Sequence, residues 1–299
     1  VPWTYALWQL NPSEHADNKN QSTQLRHVLL LMLALILLAS WGDSLPTPSL
    51  SPITVTPVFA GKVDVGGYGL YLECAGTGSP TVVLESGLGD PWGFGKLIPY
   101  IAQHTRVCSY SRAGLGQSDP APQRPRSTQA MAQDLHTLLD NAHMAGPYVL
   151  VGHSIAVLNL FLYVKQYPQE VVGLMLVDVA TPDEWYQTAQ GAQAIPTASP
   201  QWQQSAASLY GANDEGFDMV TSAIQVHEVG TTLGDLPFVV VSAQRSADTI
   251  AQRRKMAGLS SNGTLIVAKT TAHVVQGAEP VTVLNAIVLL LEKAKHYKP

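Results

Sequence analysis

The longest apolar stretch comes early: twelve consecutive residues, Val28 to Ala39, carry no polar side chain. It follows Arg26, has no polar face, and runs through Ser40-Trp41-Gly42 into a Pro/Ser/Thr-rich stretch. Twelve residues suit the hydrophobic region of a signal peptide. The three further residues lengthen the run toward a membrane anchor with Trp41 at the interface. Residues 1–27 therefore read as a polar N-terminal extension, 28–42 as a signal or membrane-anchor segment, and 43–60 as a linker. The chain is expected to be exported, either secreted or periplasmic, or held at a membrane if this segment is retained.

From Gly61 the pattern changes to short β-branched runs alternating with helical periodicity. Strands are predicted at Leu70–Glu73, Thr81–Glu85, Arg106–Tyr110, Tyr148–Val151, Leu174–Val177, Phe238–Ser242 and Thr264–Ala268. Helices are predicted at Ser127–Ala142, Ile155–Tyr167, Ile250–Leu259 and Val281–Lys293. Unbroken apolar runs such as YVLVG and LMLVD indicate strands covered on both faces, as in a parallel sheet between helix layers. The alternation predicts one doubly wound α/β domain over residues 61–299 with a mostly parallel central sheet. Residues 183–235 interrupt it with helical but no strand patterns, which places a helical cap insertion there.

Composition narrows the function classes. Charged residues make up 13% of the chain and the net charge is −5. No basic surface for nucleic acid is indicated. The two cysteines form no CxxC pair, and the nine histidines lack the i, i+4 spacing of a helical metal site. Neither a metal nor another cofactor is expected. Oligomeric state has no signature in the sequence.

The segment Tyr148-Val-Leu-Val-Gly-His-Ser154-Ile-Ala156 has the order strand, small-x-Ser-x-small, helix. A sharp strand-to-helix turn would lift Ser154 above the sheet edge, and small residues at 152 and 156 let the backbone make it. The Ile155 amide then lies at a helix N-terminus, where partial positive charge stabilises an oxyanion. A serine hydroxyl is a weak nucleophile without a base in reach. His273, after the last strand and before the final helix, is the candidate base. His153 points away from Ser154 and reads as a packing residue, while His104, His136 and His143 read as solvated.

Taken together, these segments resemble the α/β-hydrolase fold family, in particular bacterial serine hydrolases and esterase-like proteins with an N-terminal hydrophobic segment. The resemblance rests on KVDVGGYGLYLECAGTGSPTVVLESGLG, TRVCSYSRAGLGQSDP, YVLVGHSIA, LMLVDVATPDEW, LGDLPFVVVSA and LSSNGTLIVAKTTAHVVQ, in that order. It implies that Ser86-Gly87-Leu88 is the oxyanion loop and that the Leu88 amide joins that of Ile155 as a donor. Gly87, Trp92 and Phe94, on and beside that loop, are the implied substrate contacts. The chain departs from the family at Ser111, where relatives carry aspartate before Arg112-Ala113-Gly114, and at Val157, where they carry glycine.

The acid that orients His273 has two candidates. The family commonly places it after the strand Phe238–Ser242, where Asp248 is available. Pancreatic-type lipases instead use the preceding strand, where Asp178 stands on a rigid strand end. Asp178 is preferred on that ground, with Asp248 as the alternative. Cys74 and Cys108 fall on strands that neighbour each other in the resembled fold, so a disulfide and two buried thiols both stay open.

The expected activity is cleavage of a carboxylic ester, or a related acyl bond, of a small neutral or hydrophobic substrate through an acyl-enzyme. The alternative is a binding protein of the same fold with little or no turnover, motivated by Ser111, Val157 and the two candidate acids.

Overall fold

The computed structural model describes residues 54–90, 93–193, 211, 213 and 215–299. These lie within one compact unit, Leu50–Pro299. The polar extension, the signal or anchor segment at 28–42 and most of the linker fall outside the described residues, as does Trp92.

Eight strands form one sheet: β1 (Phe59–Asp64), β2 (Gly69–Ala75), β3 (Thr81–Glu85), β4 (Val107–Tyr110), β5 (Tyr148–His153), β6 (Val171–Val177), β7 (Phe238–Ser242) and β8 (Gly263–Val267). Their spatial order is β1-β2-β4-β3-β5-β6-β7-β8. β2 pairs antiparallel with both β1 and β4, and every pairing from β4 through β8 is parallel. The central strands are buried along their whole length, as in VVGLMLV of β6, because helices cover both faces. This is the α/β-hydrolase fold.

The helices are α1 (Ile98–Ile101), α2 (Thr128–Asn141), α3 (Ala156–Gln166), α4 (Pro182–Gln193), α5 (Met219–Val229), α6 (Ala247–Ala257), α7 (Val275–Ala278) and α8 (Pro280–Ala294). In α2 the buried Met131, Leu135, Leu138 and Leu139 recur at the helical period and form one apolar stripe. It packs with α3 and α5 in a core on one face of the sheet. Leu97, Ile98, Ile101 and the apolar stripe of α8 (Val283, Ala286, Ile287, Leu290) fill the core on the other. Residues Ala156 to Val164 of α3 are all buried, since the helix lies between the sheet and its neighbours. Val157, the departure from the family pattern, is fully buried there.

Three expectations need correcting. β1 starts at Phe59, inside the stretch read as linker; its exposure alternates along FAGKVD, as suits an edge strand with one covered face. Predicted element ends also shift by a few residues, most in α6, which spans Ala247–Ala257 rather than Ile250–Leu259, and in β6, which begins at Val171 rather than Leu174. His136 is not simply solvated: its ring stacks on Tyr167 at 4.0 Å and its Nδ1 lies 3.3 Å from a Glu170 carboxylate oxygen. The insertion between β6 and β7 does carry helices, α4 and α5, packed on each other. Residues 194–210 between them lie outside the described set.

Cys74 of β2 and Cys108 of β4 are direct cross-strand partners and are joined by a disulfide. The bond closes a loop with a sequence separation of 34 residues, for which chain entropy gives about 4 kcal/mol of stabilisation. Replacing both cysteines by alanine is expected to lower the unfolding free energy by roughly 2–4 kcal/mol, measured by urea denaturation. An unchanged midpoint would mean that the bond adds nothing to stability.

Candidate active site

β5 ends at His153, and the chain turns at Ser154 straight into α3. Ser154 takes the left-handed conformation, with φ 55°. For non-glycine residues this region is sparsely populated and accumulates at functional positions. The turn needs small neighbours: a Cβ at Gly152 would lie 2.6 Å from Leu160 Cδ1 and 2.9 Å from Ala156 Cβ. Ala156 therefore fills the place of the more usual glycine only because Gly152 has no side chain.

Asp178 follows the last residue of β6 and also has a positive φ, 44°. His273 sits in the exposed segment between β8 and α7. Adjacent parallel strands place these three residues along one rim of the sheet. His273 Nδ1–H donates to Asp178 Oδ2 at 2.8 Å, which leaves Nε2 facing Ser154 Oγ at 2.9 Å. Asp248 is not part of this arrangement. It is exposed in the first turn of α6, whose N-cap is Ser246, with the Ser246 hydroxyl accepting from Thr249 N–H.

Asp178 is 8% exposed. Burial by itself raises its pKa, but hydrogen bonds from Arg245, His273 and the Ala243 amide, with the charge of Arg245, outweigh burial and hold the carboxyl below its ordinary range. The Ala243 N–H reaches Oδ1 at 3.0 Å, and an Arg245 guanidinium N–H bonds the same Oδ2 that meets His273. Arg245 also donates to Thr271 O at 3.2 Å, tying down the segment that carries His273.

His153 does more than pack. Its Nε2–H donates to the His273 carbonyl at 3.0 Å, and the two rings lie 4.6 Å apart. Burial keeps the His153 imidazole below its ordinary pKa, so it is a neutral support rather than a second base. Nothing in the spacing of His153 and His273 announced this contact. Arg245 was equally hidden, although a cation in the loop after β7 was visible in the sequence.

The loop after β3 approaches the serine from the other side. A Cβ at Gly87 would stand 2.8 Å from His153 Nδ1 and 3.4 Å from Ser154 Cβ. Glycine is required by this close approach. Gly87→Ala is expected to lower turnover by at least about tenfold, since small displacements of reacting groups carry costs of that size. Steady-state kinetics beside the wild type checks this; equal kcat would mean that the loop yields freely. Among the described residues, neither the Leu88 nor the Ile155 amide has a hydrogen-bond acceptor. Phe94, expected at the substrate, is instead 1% exposed and part of the core beneath α1 and α8. An aromatic a few residues beyond the loop had returned to the interior.

Comparison with known proteins agrees with the architecture. The chain has the fold of the α/β hydrolases: residues 80–218 match the family model described as alpha/beta hydrolase fold. That match includes Ser154 and Asp178 and ends before His273. Among curated proteins the chain is similar to the probable transporter efuK of Hormonema carpetanum, with 34% identity over 131 residues. Those residues cover 40% of this chain and 18% of that protein. It is also similar to the uncharacterized protein YqjL of Bacillus subtilis (strain 168), with 25% identity over 222 residues, 71% of this chain and 83% of that one. The chain thus spans less than a fifth of the first relative and most of the second. Among solved structures, a thermophilic esterase from Thermogutta terrifontis superposes with a TM-score of 0.59 at 20% identity. The match covers 79% of this chain and 99% of the esterase.

Proposed function

We propose that the chain is a serine hydrolase that cleaves a carboxylic ester, or a related acyl bond, through an acyl-enzyme. One observation carries the reading: the unbroken line from Asp178 Oδ2 through the His273 ring to Ser154 Oγ, with contacts of 2.8 and 2.9 Å. Asp178 accepts from Nδ1–H and so fixes the tautomer that leaves Nε2 free to take the serine proton.

Ser154 Oγ attacks the acyl carbon as its proton passes to His273 Nε2. The carbonyl π pair moves onto oxygen, where the Leu88 and Ile155 amides receive it. Donors aimed at such developing charge contribute on the order of 3 kcal/mol each. The intermediate collapses, the C–O bond to the leaving group breaks, and the alkoxide takes the proton from His273. Water then repeats the sequence with His273 as base, releasing the acid and restoring Ser154. No step needs a cofactor.

Two exposed apolar side chains favour a neutral or hydrophobic substrate: Leu88 on the oxyanion loop and Val274 beside His273, 40% and 43% exposed. The disulfide and the apolar run at 28–39 support export, since such bonds persist in oxidising compartments. Attachment to a membrane would then fall to that N-terminal segment, because no described helix is long and apolar enough to cross one.

A fluorophosphonate probe tests the reading directly, together with p-nitrophenyl esters of increasing acyl length. Stoichiometric labelling of the wild type and hydrolysis of at least the short esters are expected. A folded wild type that neither labels nor hydrolyses any ester would leave the alternative, a binding protein of this fold.

A further inference from the structure

Beneath the loop after β3 lies a buried ion pair that the proposed reaction does not itself use. Arg112, just beyond β4, and Glu215, in the insertion between β6 and β7, are 4% and 1% exposed. Arg112 Nε donates to Glu215 Oε2 at 2.5 Å and Nη2 to Oε1 at 2.9 Å. This forked geometry is particular to arginine. A third contact, at 3.2 Å, runs from Nη1 to Glu85 at the end of β3.

Among the described residues, the remaining side-chain bonds of the pair go to the loop's backbone. Arg112 Nη1 donates to Ser86 O at 2.6 Å and Nη2 to Gly87 O at 2.7 Å. Glu215 Oε1 accepts from Gly89 N–H at 2.6 Å. In a planar trans peptide the N–H points opposite to the C=O. Fixing Gly87 O on the guanidinium therefore turns the Leu88 N–H away from the ion pair. The Gly89 amide is consumed by Glu215, so it does not compete as a donor. The same loop passes Ser154 at Gly87, where the space is too tight for a Cβ.

Glu215 is itself held in place. The backbone beside it is tied to Arg126, with Arg126 N–H donating to Gly216 O at 2.7 Å and Asp218 N–H to Arg126 O at 2.8 Å. Asn213 bonds across the same turn, its Nδ2 to Phe217 O at 2.8 Å and its Oδ1 from Phe217 N–H at 3.0 Å.

We infer that Arg112 and Glu215 are positioning residues for the oxyanion hole, an ion pair through which the seating of the insertion sets the direction of the Leu88 amide. The inference rests on the proposed hydrolase reading. It assigns to the insertion a part in the chemical step besides any covering of substrate. It also assigns Arg112, which the sequence offers only as part of a turn motif, a definite task. Neither residue touches the substrate, and their effect is expressed through Leu88.

Three variants with p-nitrophenyl ester kinetics test it. Glu215→Leu removes both the acceptor for Gly89 N–H and the partner of Arg112, and kcat is expected to fall about 10²-fold, as for loss of one oxyanion donor. Arg112→Lys, which cannot span two carbonyls and a carboxylate, should fall comparably. Glu215→Gln keeps an acceptor for Gly89 and should retain more kcat than Glu215→Leu. In all three KM should stay within about twofold, because the lost interaction acts in the transition state. Fluorophosphonate labelling rates should fall in step with kcat. A merely structural role would lower the unfolding temperature without this split.

Amide hydrogen exchange on the wild type needs no variant and covers the case in which a substitution prevents folding. Gly89 should exchange far more slowly than an exposed loop amide. Wild-type kcat in folded Glu215 variants, or unprotected exchange at Gly89, would overturn the inference. Failure of the wild type to label or hydrolyse would instead overturn the hydrolase reading beneath it.

Discussion

Replacing Ser154 by alanine is expected to remove ester hydrolysis almost entirely, with kcat down by at least about 10⁴-fold and the unfolding temperature unchanged. The selectivity follows from the position of the hydroxyl. Ser154 is only partly buried, and its Oγ meets His273 Nε2 and no other partner among the described residues. Deleting it leaves no buried polar group unpaired and no cavity in the core. Alanine bears the left-handed backbone with the same Cβ that serine has. What vanishes is the atom proposed to bond the acyl carbon, and fluorophosphonate labelling should vanish with it. Residual hydrolysis within tenfold of the wild type would place the nucleophile elsewhere and end the acyl-enzyme reading.

Asp178→Asn is expected to lower kcat by about 10⁴-fold, the loss typical when the orienting carboxylate becomes an amide. An amide nitrogen facing His273 favours the tautomer whose Nε2 already bears a proton, so that Nε2 can no longer receive one from Ser154. The substitution also leaves the Arg245 guanidinium beside a neutral group, which compounds the misorientation. Asp248→Asn is the matched control. Its carboxylate is exposed on the first turn of α6, and kcat should remain within about twofold of wild type, in line with surface substitutions generally. A severe loss in Asp248→Asn with little loss in Asp178→Asn would reassign the acid.

Much of this architecture is legible in the chain because the relevant physics is local. Buried parallel strands announce themselves as unbroken apolar runs, and YVLVG, LMLV and FVVVS all lie in strands. The turn at Ser154 is readable because it needs small residues at fixed offsets, 152 and 156. The preference for Asp178 over Asp248 came from the rigidity of a strand end, again a local property. What escaped the sequence is non-local. β1 was hidden because an edge strand with one covered face alternates weakly, and FAGKVD contains a glycine and a lysine. Phe94 misled because proximity to the loop after β3 does not say which way a side chain turns. Arg245 meets Asp178 across 67 residues and Glu215 meets Arg112 across 103. No spacing rule links such pairs. The two cysteines were an intermediate case: the resembled fold implied neighbouring strands and left a bond open, and direct cross-strand pairing joins them.

The burial of α3 from Ala156 to Val164 has a bearing on how this protein would fail. The serine stands just before a helix buried from Ala156 to Val164, whereas Thr271 through Val274, which carry the imidazole, are all exposed. One half of the reacting pair is therefore as durable as the fold, and the other depends on the few bonds that His153, Asp178 and Arg245 make to an exposed segment. Local opening of that exposed segment, at lower free energy than global unfolding, is expected to part the two first. Storage, heat or surface mutation would then extinguish turnover while leaving a scaffold that any spectroscopic inspection would pass as intact.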